Sequence, residues 1–343
     1  MVGLKEFISN FYWQMGVDLG SSHISIYLKG KGIVVDEPSS VAKLKKKKWG
    51  QSRFLMFGQR AKETMSREPK LIEVVQPVKK GVVVDLEAAE ALAGNYLKLI
   101  FEIPSGYPRL LKPKVVAAVS SQISEVQRRA YVSVFNNAGA GEVVLVDSGV
   151  VGALGSGYNL NESGGVLVVD IGGSKTEISL VSMGGLVIGR CLELGGDNFD
   201  EAIINYVKMK YGLLIGKNSV EKLKIGGGGI VRGRDLEHSL PKSLRVGGTE
   251  IQEAVAFLIN KIVRMISGVL DEMPTEMTED ILKRGIILVG GMAQMVEITK
   301  AIEEETKIST MVVEEPAQAV IRGCGVLLED LELLKRVRTI NNR

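Results

Sequence analysis

The chain writes one short pattern twice. Val17-Asp18-Leu19-Gly20-Ser21-Ser22-His23-Ile24-Ser25-Ile26-Tyr27-Leu28 aligns without gaps on Val169-Asp170-Ile171-Gly172-Gly173-Ser174-Lys175-Thr176-Glu177-Ile178-Ser179-Leu180, 152 residues further on. Each copy is an apolar run ending in Asp, a glycine turn and a second apolar run, which reads as a β-hairpin with a carboxylate at its mouth. Glycine lets backbone approach a ligand closely, and successive turn N–H groups form an anion-binding concavity. Two such turns facing each other would clamp a phosphate chain from both sides.

At 343 residues the chain exceeds the size of one core, so about two domains are expected. Strands and helices alternate, with strand hairpins at the front of each half: α/β with mixed sheets. The first half reads as a hairpin over 15–28, a strand over 33–39, a short helix over 59–68 and an extended segment between Pro69 and Pro77. A long helix follows over 86–101, with Leu92, Tyr96, Leu99 and Ile100 as its inner face. Ser124 and Gln127 have capping-box spacing and start the next helix. The second half repeats the plan. Asp197 or Asn198 is the expected N-cap of a helix to Tyr211, Thr249 of one to Met273, and residues 230–246 read as a polar excursion.

Composition excludes several classes. A net charge of +3 gives no case for nucleic acid, and two cysteines, Cys191 and Cys324, support neither a disulfide framework nor a zinc site. Two distant histidines, His23 and His238, make no metal pair. No apolar run approaches the roughly 20 residues of a membrane span. Near the N-terminus, however, Leu4, Phe7, Ile8 and Phe11 recur at helical spacing. Met1–Trp13 therefore reads as an amphipathic helix, either packed on the core or lying in a membrane interface. Lys45-Lys46-Lys47-Lys48 is a basic run that reads as a solvated loop tip or a second contact with anionic lipid.

The chemistry gathers at three glycine turns. Asp18 and Asp170 are hard oxygen ligands suited to Mg²⁺ beside phosphates, largely through retained water. Gly20, Ser21, Ser22 and His23 form the first turn, and Gly172, Gly173, Ser174 and Lys175 the second. The third, Gly290-Gly291-Met292-Ala293, follows a buried strand and suits the approach of a nucleotide base. In Glu221-Lys222-Leu223-Lys224, Glu221 and Lys224 share a helical face suited to a ribose. No Walker A or strand-following GxGxxG pattern is present, which removes the P-loop and Rossmann readings.

These residues carry a resemblance. The paired hairpins resemble the phosphate-binding motifs of the actin, Hsp70 and sugar-kinase superfamily. Within it the chain looks like the MreB family of bacterial actins, nearly end to end. The matching stretches include Gly16–Gly20, Lys29–Val34, Asp36-Glu37-Pro38-Ser39, Gln127–Ala130, Asp170–Gly173, Gly196–Ile203, Leu240-Pro241-Lys242 and Arg284–Leu288. The resemblance implies an actin-like (ribonuclease H-like) duplicated fold, with mixed five-stranded sheets around a cleft for ATP or ADP with Mg²⁺. It implies four subdomains: IA over 1–36 and 78–150, IB over 37–77, IIA over 151–192 and 249–343, and IIB over 193–248. It also implies membrane-associated double protofilaments governing cell shape and motility, placed in the cytoplasm at the inner face of the cell membrane. The N-terminal segment matches the family's membrane anchor, and paralogues are expected partners.

The departures are as informative. The family's second loop typically reads Asp-Ile-Gly-Gly-Gly-Thr-Thr-Glu, so Lys175 replaces a Thr that would help place the attacking water. The family's Glu-Pro pair after the strand ending at Val146 is here Ser148-Gly149, and that Glu orients or deprotonates the water. Ser is no general base near neutral pH without an activating partner, and Asp147 is expected to point away. The expected catalytic set is therefore Asp170 with two degenerate positions, Ser148 and Lys175, and the expectation is ATP binding with attenuated hydrolysis. The competing reading is a small-molecule kinase on the same fold. A chaperone-like ATPase is disfavoured because no peptide-binding domain follows Arg343.

Overall fold

The computed structural model describes residues 13–46, 53–65, 71–102 and 112–338. The first half runs through β1 (Gln14–Leu19), β2 (His23–Leu28), β3 (Gly32–Pro38), β4 (Val41–Leu44), β5 (Phe54–Phe57), α1 (Gly58–Met65) and β6 (Ile72–Val75). A small hairpin, β7 (Val78–Lys79) and β8 (Val82–Val83), leads into α2 (Leu86–Glu102), β9 (Lys114–Val119), α3 (Glu125–Asn137), β10 (Glu142–Asp147) and α4 (Ser148–Gly155). The second half begins with β11 (Gly165–Ile171), β12 (Thr176–Ser182), β13 (Gly185–Leu192), α5 (Gly196–Tyr211), β14 (Leu213–Ile215) and α6 (Lys217–Gly226). It continues with β15 (Gly229–Asp235), β16 (Pro241–Val246), α7 (Gly248–Glu272), α8 (Thr278–Arg284), β17 (Ile286–Val289), α9 (Val296–Thr306), β18 (Thr310–Val312), α10 (Ala319–Glu329) and α11 (Leu331–Val337).

The duplication seen in the sequence is a duplication of topology. One five-stranded sheet has the order β10-β9-β1-β2-β3 and the other β18-β17-β11-β12-β13. In each, the hairpin strands pair antiparallel, while β1 with β9 and β11 with β17 pair parallel. This is the mixed five-stranded arrangement that the family resemblance implied.

Alternation along the central strands builds three packed layers. Val115, Ala117 and Val119 face a core under α2 and α3, while Val116 and Ala118 face the opposite way. Leu167, Val169 and Ile171 face a core under α5 and α7, while Val166 and Val168 join Val116 and Ala118 in the layer between the sheets. Strands buried on both faces read as continuous apolar runs, because successive side chains point to opposite sides. The middle layer also holds α4 and α10, which follow equivalent strands. Their backbones cross so closely that a Cβ on Gly155 would lie 1.7 Å from the Ala319 carbonyl oxygen, and one on Gly323 1.8 Å from that of Val151. Only glycine permits such an approach.

Several local expectations shift. The Ser124–Gln127 capping box forms as expected, both reciprocal bonds being present. The N-cap of α5 is Gly195 rather than Asp197 or Asn198, and Asn198 instead accepts the Gly195 N–H. The helix starts early because the N–H groups of Gly196 and Asp197 donate to the Gly172 and Gly173 carbonyls, which anchors its first turn on the second hairpin. Similarly α7 is capped at Gly247, whose N–H is accepted by Glu250, rather than at Thr249. The polar excursion over 230–246 is the β15–β16 hairpin. Its inner face carries Val231, Leu244 and Val246, but Gly229 and Gly233 share that face and Ile230, 75% exposed, lies on the other, so little alternation shows in the sequence. On α2, Leu99 lies at the edge of the apolar stripe in the last turn and is 49% exposed, while Leu97 is buried. Trp13 belongs to the core, its ring edge-on to Phe101 at 5.4 Å, and is not a free face of the N-terminal segment. Residues 1–12 and Lys47–Lys48 lie outside the described residues.

Candidate functional site

The two glycine hairpins close in the same way. The Gly20 N–H donates to the His23 carbonyl at 2.9 Å, and the Gly172 N–H to the Lys175 carbonyl at 3.0 Å. Their tips meet: a Cβ on Gly173 would lie 1.8 Å from Ser22 Oγ. The third glycine turn approaches from below. Gly290 takes a φ of +85°, and a Cβ there would lie 2.4 Å from Asp170 Oδ1, so both its conformation and its position require glycine. Between these turns lies a cavity of about 410 Å³, walled by both hairpins, Ser148, α6 and the turn after β17.

The wall of that cavity contains Asp18, Gly20, Ser21, Ser22, His23, Ser148, Asp170, Gly172, Gly173, Lys175, Glu221, Lys224, Gly290, Gly291 and Met292, brought from segments far apart in the chain. Four expected positions fall outside it. Ser174 is buried, its hydroxyl accepting the Lys80 N–H at 2.7 Å. Leu223 and Ala293 pack in the apolar core, and Lys222 faces solvent. On α6 the period of 3.6 that puts Glu221 and Lys224 on the cavity turns the two residues between them away.

At the hairpin mouths the charges are tightly organised. Glu177 is 1% exposed. One of its carboxylate oxygens accepts the Ser121 N–H at 2.9 Å and the Ser121 hydroxyl at 2.8 Å. The other accepts the Ser148 hydroxyl at 2.9 Å and the Lys175 ammonium at 2.5 Å. Burial, the largest single influence, would raise the Glu177 carboxyl, but the Lys175 charge and the hydrogen bonds from Lys175 and Ser121 together outweigh it and hold the carboxyl down at about 2. Lys175 is shifted upward: burial opposes its charge, and Glu177 and then Asp170 overcome it. Burial, and next the neighbouring Asp170, push Asp18 up to about 7. Burial pushes Asp170 up to about 6 against the pull of Lys175. Asp147 stays out of the cavity wall, as its strand position foretold, with its carboxyl raised by burial and opposed by Arg128.

Contacts also bridge the cleft. Lys80, at the β7–β8 turn, reaches Glu193 with its ammonium at 2.6 Å as well as Ser174 with its amide. The Lys175 stem lies against Gly81, whose carbonyl accepts the Tyr131 hydroxyl at 3.1 Å. Gln122 donates to the Gly189 carbonyl and accepts the Cys191 N–H.

With this fold and cleft in place, comparison with known proteins is decisive. The description of the MreB/Mbl protein family matches residues 12–336. The chain belongs to the MreB/Mbl family. It is 35% identical to the cell shape-determining protein MreB of Escherichia coli (strain K12), over 96% of this chain and 97% of that one. It is 32% identical to the cell shape-determining protein Mbl of Bacillus subtilis (strain 168), over 95% and 98%. Among solved structures it is similar to MreB5 of Spiroplasma citri bound to ADP, with a TM-score of 0.86 and 26% identity over 95% of this chain and 98% of that one. The double helical filament of MamK shares the fold, with a TM-score of 0.77 at 19% identity, over 93% and 99%. The fold is therefore actin-like.

In this MreB/Mbl cleft the side distant from the hairpin mouths is also charged. Lys224 pairs with Asp200 of α5 at 2.7 Å, both side chains largely buried, while Lys217, Glu221 and Ile225 complete the wall. Sequence reasoning passed over Asp200, Tyr131, Asp36 and Glu177. For Glu177 a signal was available: Lys175, at the end of the turn, and Glu177, in the strand that follows it, are opposite charges two residues apart and were placed to pair. Asp200 and Tyr131 lie on helices remote in sequence, with no local signal to mark them. Among the described residues no group of three or more His, Cys, Asp or Glu encloses a metal. Two carboxylates beside glycine loops instead suit a hard cation that draws its other oxygens from water and a phosphate chain.

Proposed function

We propose that this MreB/Mbl chain is an ATP-binding bacterial actin that polymerises into double-protofilament, membrane-associated filaments governing cell shape, with attenuated hydrolysis. The MreB5 structures with ADP and AMPPNP support nucleotide binding in a cleft of this fold. Gly20–His23 and Gly172–Lys175 would hold the phosphates from two sides. Glu221 and Lys224 would hold the ribose, and Gly290–Met292 would flank the base. Asp18 and Asp170 would carry Mg²⁺ through water, and the ion would neutralise phosphate charge.

The observation that carries attenuation is the closed set of Ser148, Lys175 and Glu177. Ser148 spends its proton on Glu177, so it presents no base to a water. Glu177 accepts four hydrogen bonds and has a carboxyl near 2, which leaves it with negligible basicity at neutral pH. The cleft is equipped to retain a nucleotide and poorly equipped to activate water.

Membrane attachment rests on Met1–Tyr12, with Lys45–Lys48 as a second contact, at the inner face of the cell membrane. Trp13, the residue that follows this segment, is anchored in the first half: its carbonyl accepts the Lys114 N–H and its ring meets Phe101. No helix among the described residues is long and apolar enough to cross a membrane. Paralogues of this chain are natural filament partners.

Electron microscopy with ATP and anionic liposomes, run beside phosphate release, tests the reading. Filaments on the liposomes with very slow phosphate release are expected. Ser148→Glu combined with Lys175→Thr should raise release by about 10²-fold or more, the usual weight of a general base. Wild-type release at the rate of the double variant, or no filaments under any nucleotide condition, would overturn it.

A further inference from the structure

The Lys175 ammonium has capacity to spare. It has three N–H donors, and among the described residues its one hydrogen bond is to Glu177. The side chain is 18% exposed and lines the cavity between the two hairpins. Its stem is held against Gly81, which fixes where the charge sits. The nearest carboxylates at these mouths are Glu177, buried behind it, and Asp170 and Asp18, on the two hairpins themselves. Ser148 is uncharged, and its hydroxyl donates to Glu177.

A nucleotide tail is polyanionic, and three carboxylates would repel it unless a cation intervened. Lys175 supplies one positive charge at that point as a permanent part of the chain. The ammonium stays protonated across the physiological range, because Glu177 and Asp170 together outweigh its burial. A resident ammonium between the hairpins also repels a divalent ion from the same carboxylates and takes over part of its neutralising role.

We propose that Lys175 is a built-in counter-ion for the terminal phosphate, so that the chain binds a nucleoside triphosphate with little dependence on a divalent cation. This rests on the nucleotide-binding reading above and adds to it a statement about the metal. The ammonium, tethered to Glu177 and lying over Gly81, directs its free N–H groups at phosphate oxygens as charge-assisted donors. Glu177 is then a positioning residue, since its carboxylate orients the ammonium without touching the ligand.

Fluorescence anisotropy with a fluorescent ATP analogue, in millimolar Mg²⁺ and again in EDTA, tests this on the full chain. Wild type should lose less than about tenfold in affinity on removal of the metal, whereas Lys175→Thr should lose about a hundredfold or more, and Lys175→Arg should behave like wild type. Ser148→Glu, which adds a negative charge and leaves Lys175 in place, should steepen the metal dependence in the same direction. Circular dichroism melting confirms that each variant is folded. The wild-type ratio alone is diagnostic and needs no variant. Binding in Mg²⁺ that disappears in EDTA overturns the counter-ion proposal and leaves the ATP site standing. An unchanged EDTA-to-Mg²⁺ ratio in a folded Lys175→Thr also overturns it. Absence of binding in both buffers overturns the nucleotide reading and the counter-ion with it.

Discussion

The backbone N–H of Lys80 donates to the hydroxyl of Ser174 across 2.7 Å, joining the β7–β8 turn of the first half to the second glycine hairpin. The same turn is tied a second time by Lys80 and Glu193, both well exposed, and Gly81 carries the stem of Lys175. One small turn thus touches three residues on the far side of the cleft.

Loosening that contact should open the cleft. Ser174→Ala removes the acceptor and Glu193→Gln the ion pair. The hydrogen bond is worth about 1 kcal/mol and the exposed pair less than that, so the double variant should shift the closed state by about 1–2 kcal/mol. Bound fluorescent nucleotide should dissociate several-fold faster in a stopped-flow chase, and distances between spin labels across the cleft should broaden without nucleotide. Identical distance distributions would show that the turn is merely adjacent.

The crossing of α4 and α10 should tolerate nothing larger than glycine. Gly155→Ala sets a methyl against the Ala319 carbonyl at 1.7 Å, and backbone has no rotamer to yield. A loss of about 3 kcal/mol or more is expected, at the upper end of overpacking costs. Gly268, inside α7 with nothing within 4 Å of its Cβ position, is the control. There alanine should stabilise by up to about 1 kcal/mol through helix propensity. Urea midpoints of the two variants, moving in opposite directions, check this. Equal shifts would mean that the helices separate freely.

Glu177 should shape the acid limb of stability. Its carboxyl is at about 2 in the folded chain against 4.5 ordinarily, so the unfolded chain binds the extra proton between those values. The contribution is therefore fully present above about pH 4.5 and is lost as pH falls toward 2. Glu177→Gln strands the Lys175 ammonium, and removing one partner of a buried pair costs about 3–5 kcal/mol at neutral pH. That deficit relative to wild type should narrow on acidification through this window, because protonated Glu resembles Gln. Melting temperatures of both proteins across the range measure it. A constant deficit would place the cost elsewhere.

Much of this architecture was readable because its signals are local. A glycine turn, a capping box and an apolar run depend on residues within a few positions, so the hairpins, the Ser124 cap and the buried strands appeared where spacing placed them. The misplaced caps of α5 and α7 have one cause: glycine at Gly195 and Gly247 gives no side-chain signal, and the partner sits three residues later. The β15–β16 hairpin stayed hidden because Gly229 and Gly233 occupy inner positions of β15 and Ile230 faces solvent, which breaks the two-residue alternation.

The sequence by itself determined the duplicated α/β plan, the two carboxylate-tipped hairpins and the departures at Ser148 and Lys175. These follow from backbone preferences and from residue types at known positions. Only the tertiary structure decided what those departures do. Ser148 and Glu177 lie on different elements, as do Lys80 and Ser174, and no local rule states that they touch. Packing the two sheets on α4 and α10 brings them within hydrogen-bond distance. Burial then turns a serine, a lysine and a glutamate into one closed set, in which the carboxylate is held by hydrogen bonds and the ammonium keeps donors for the cleft.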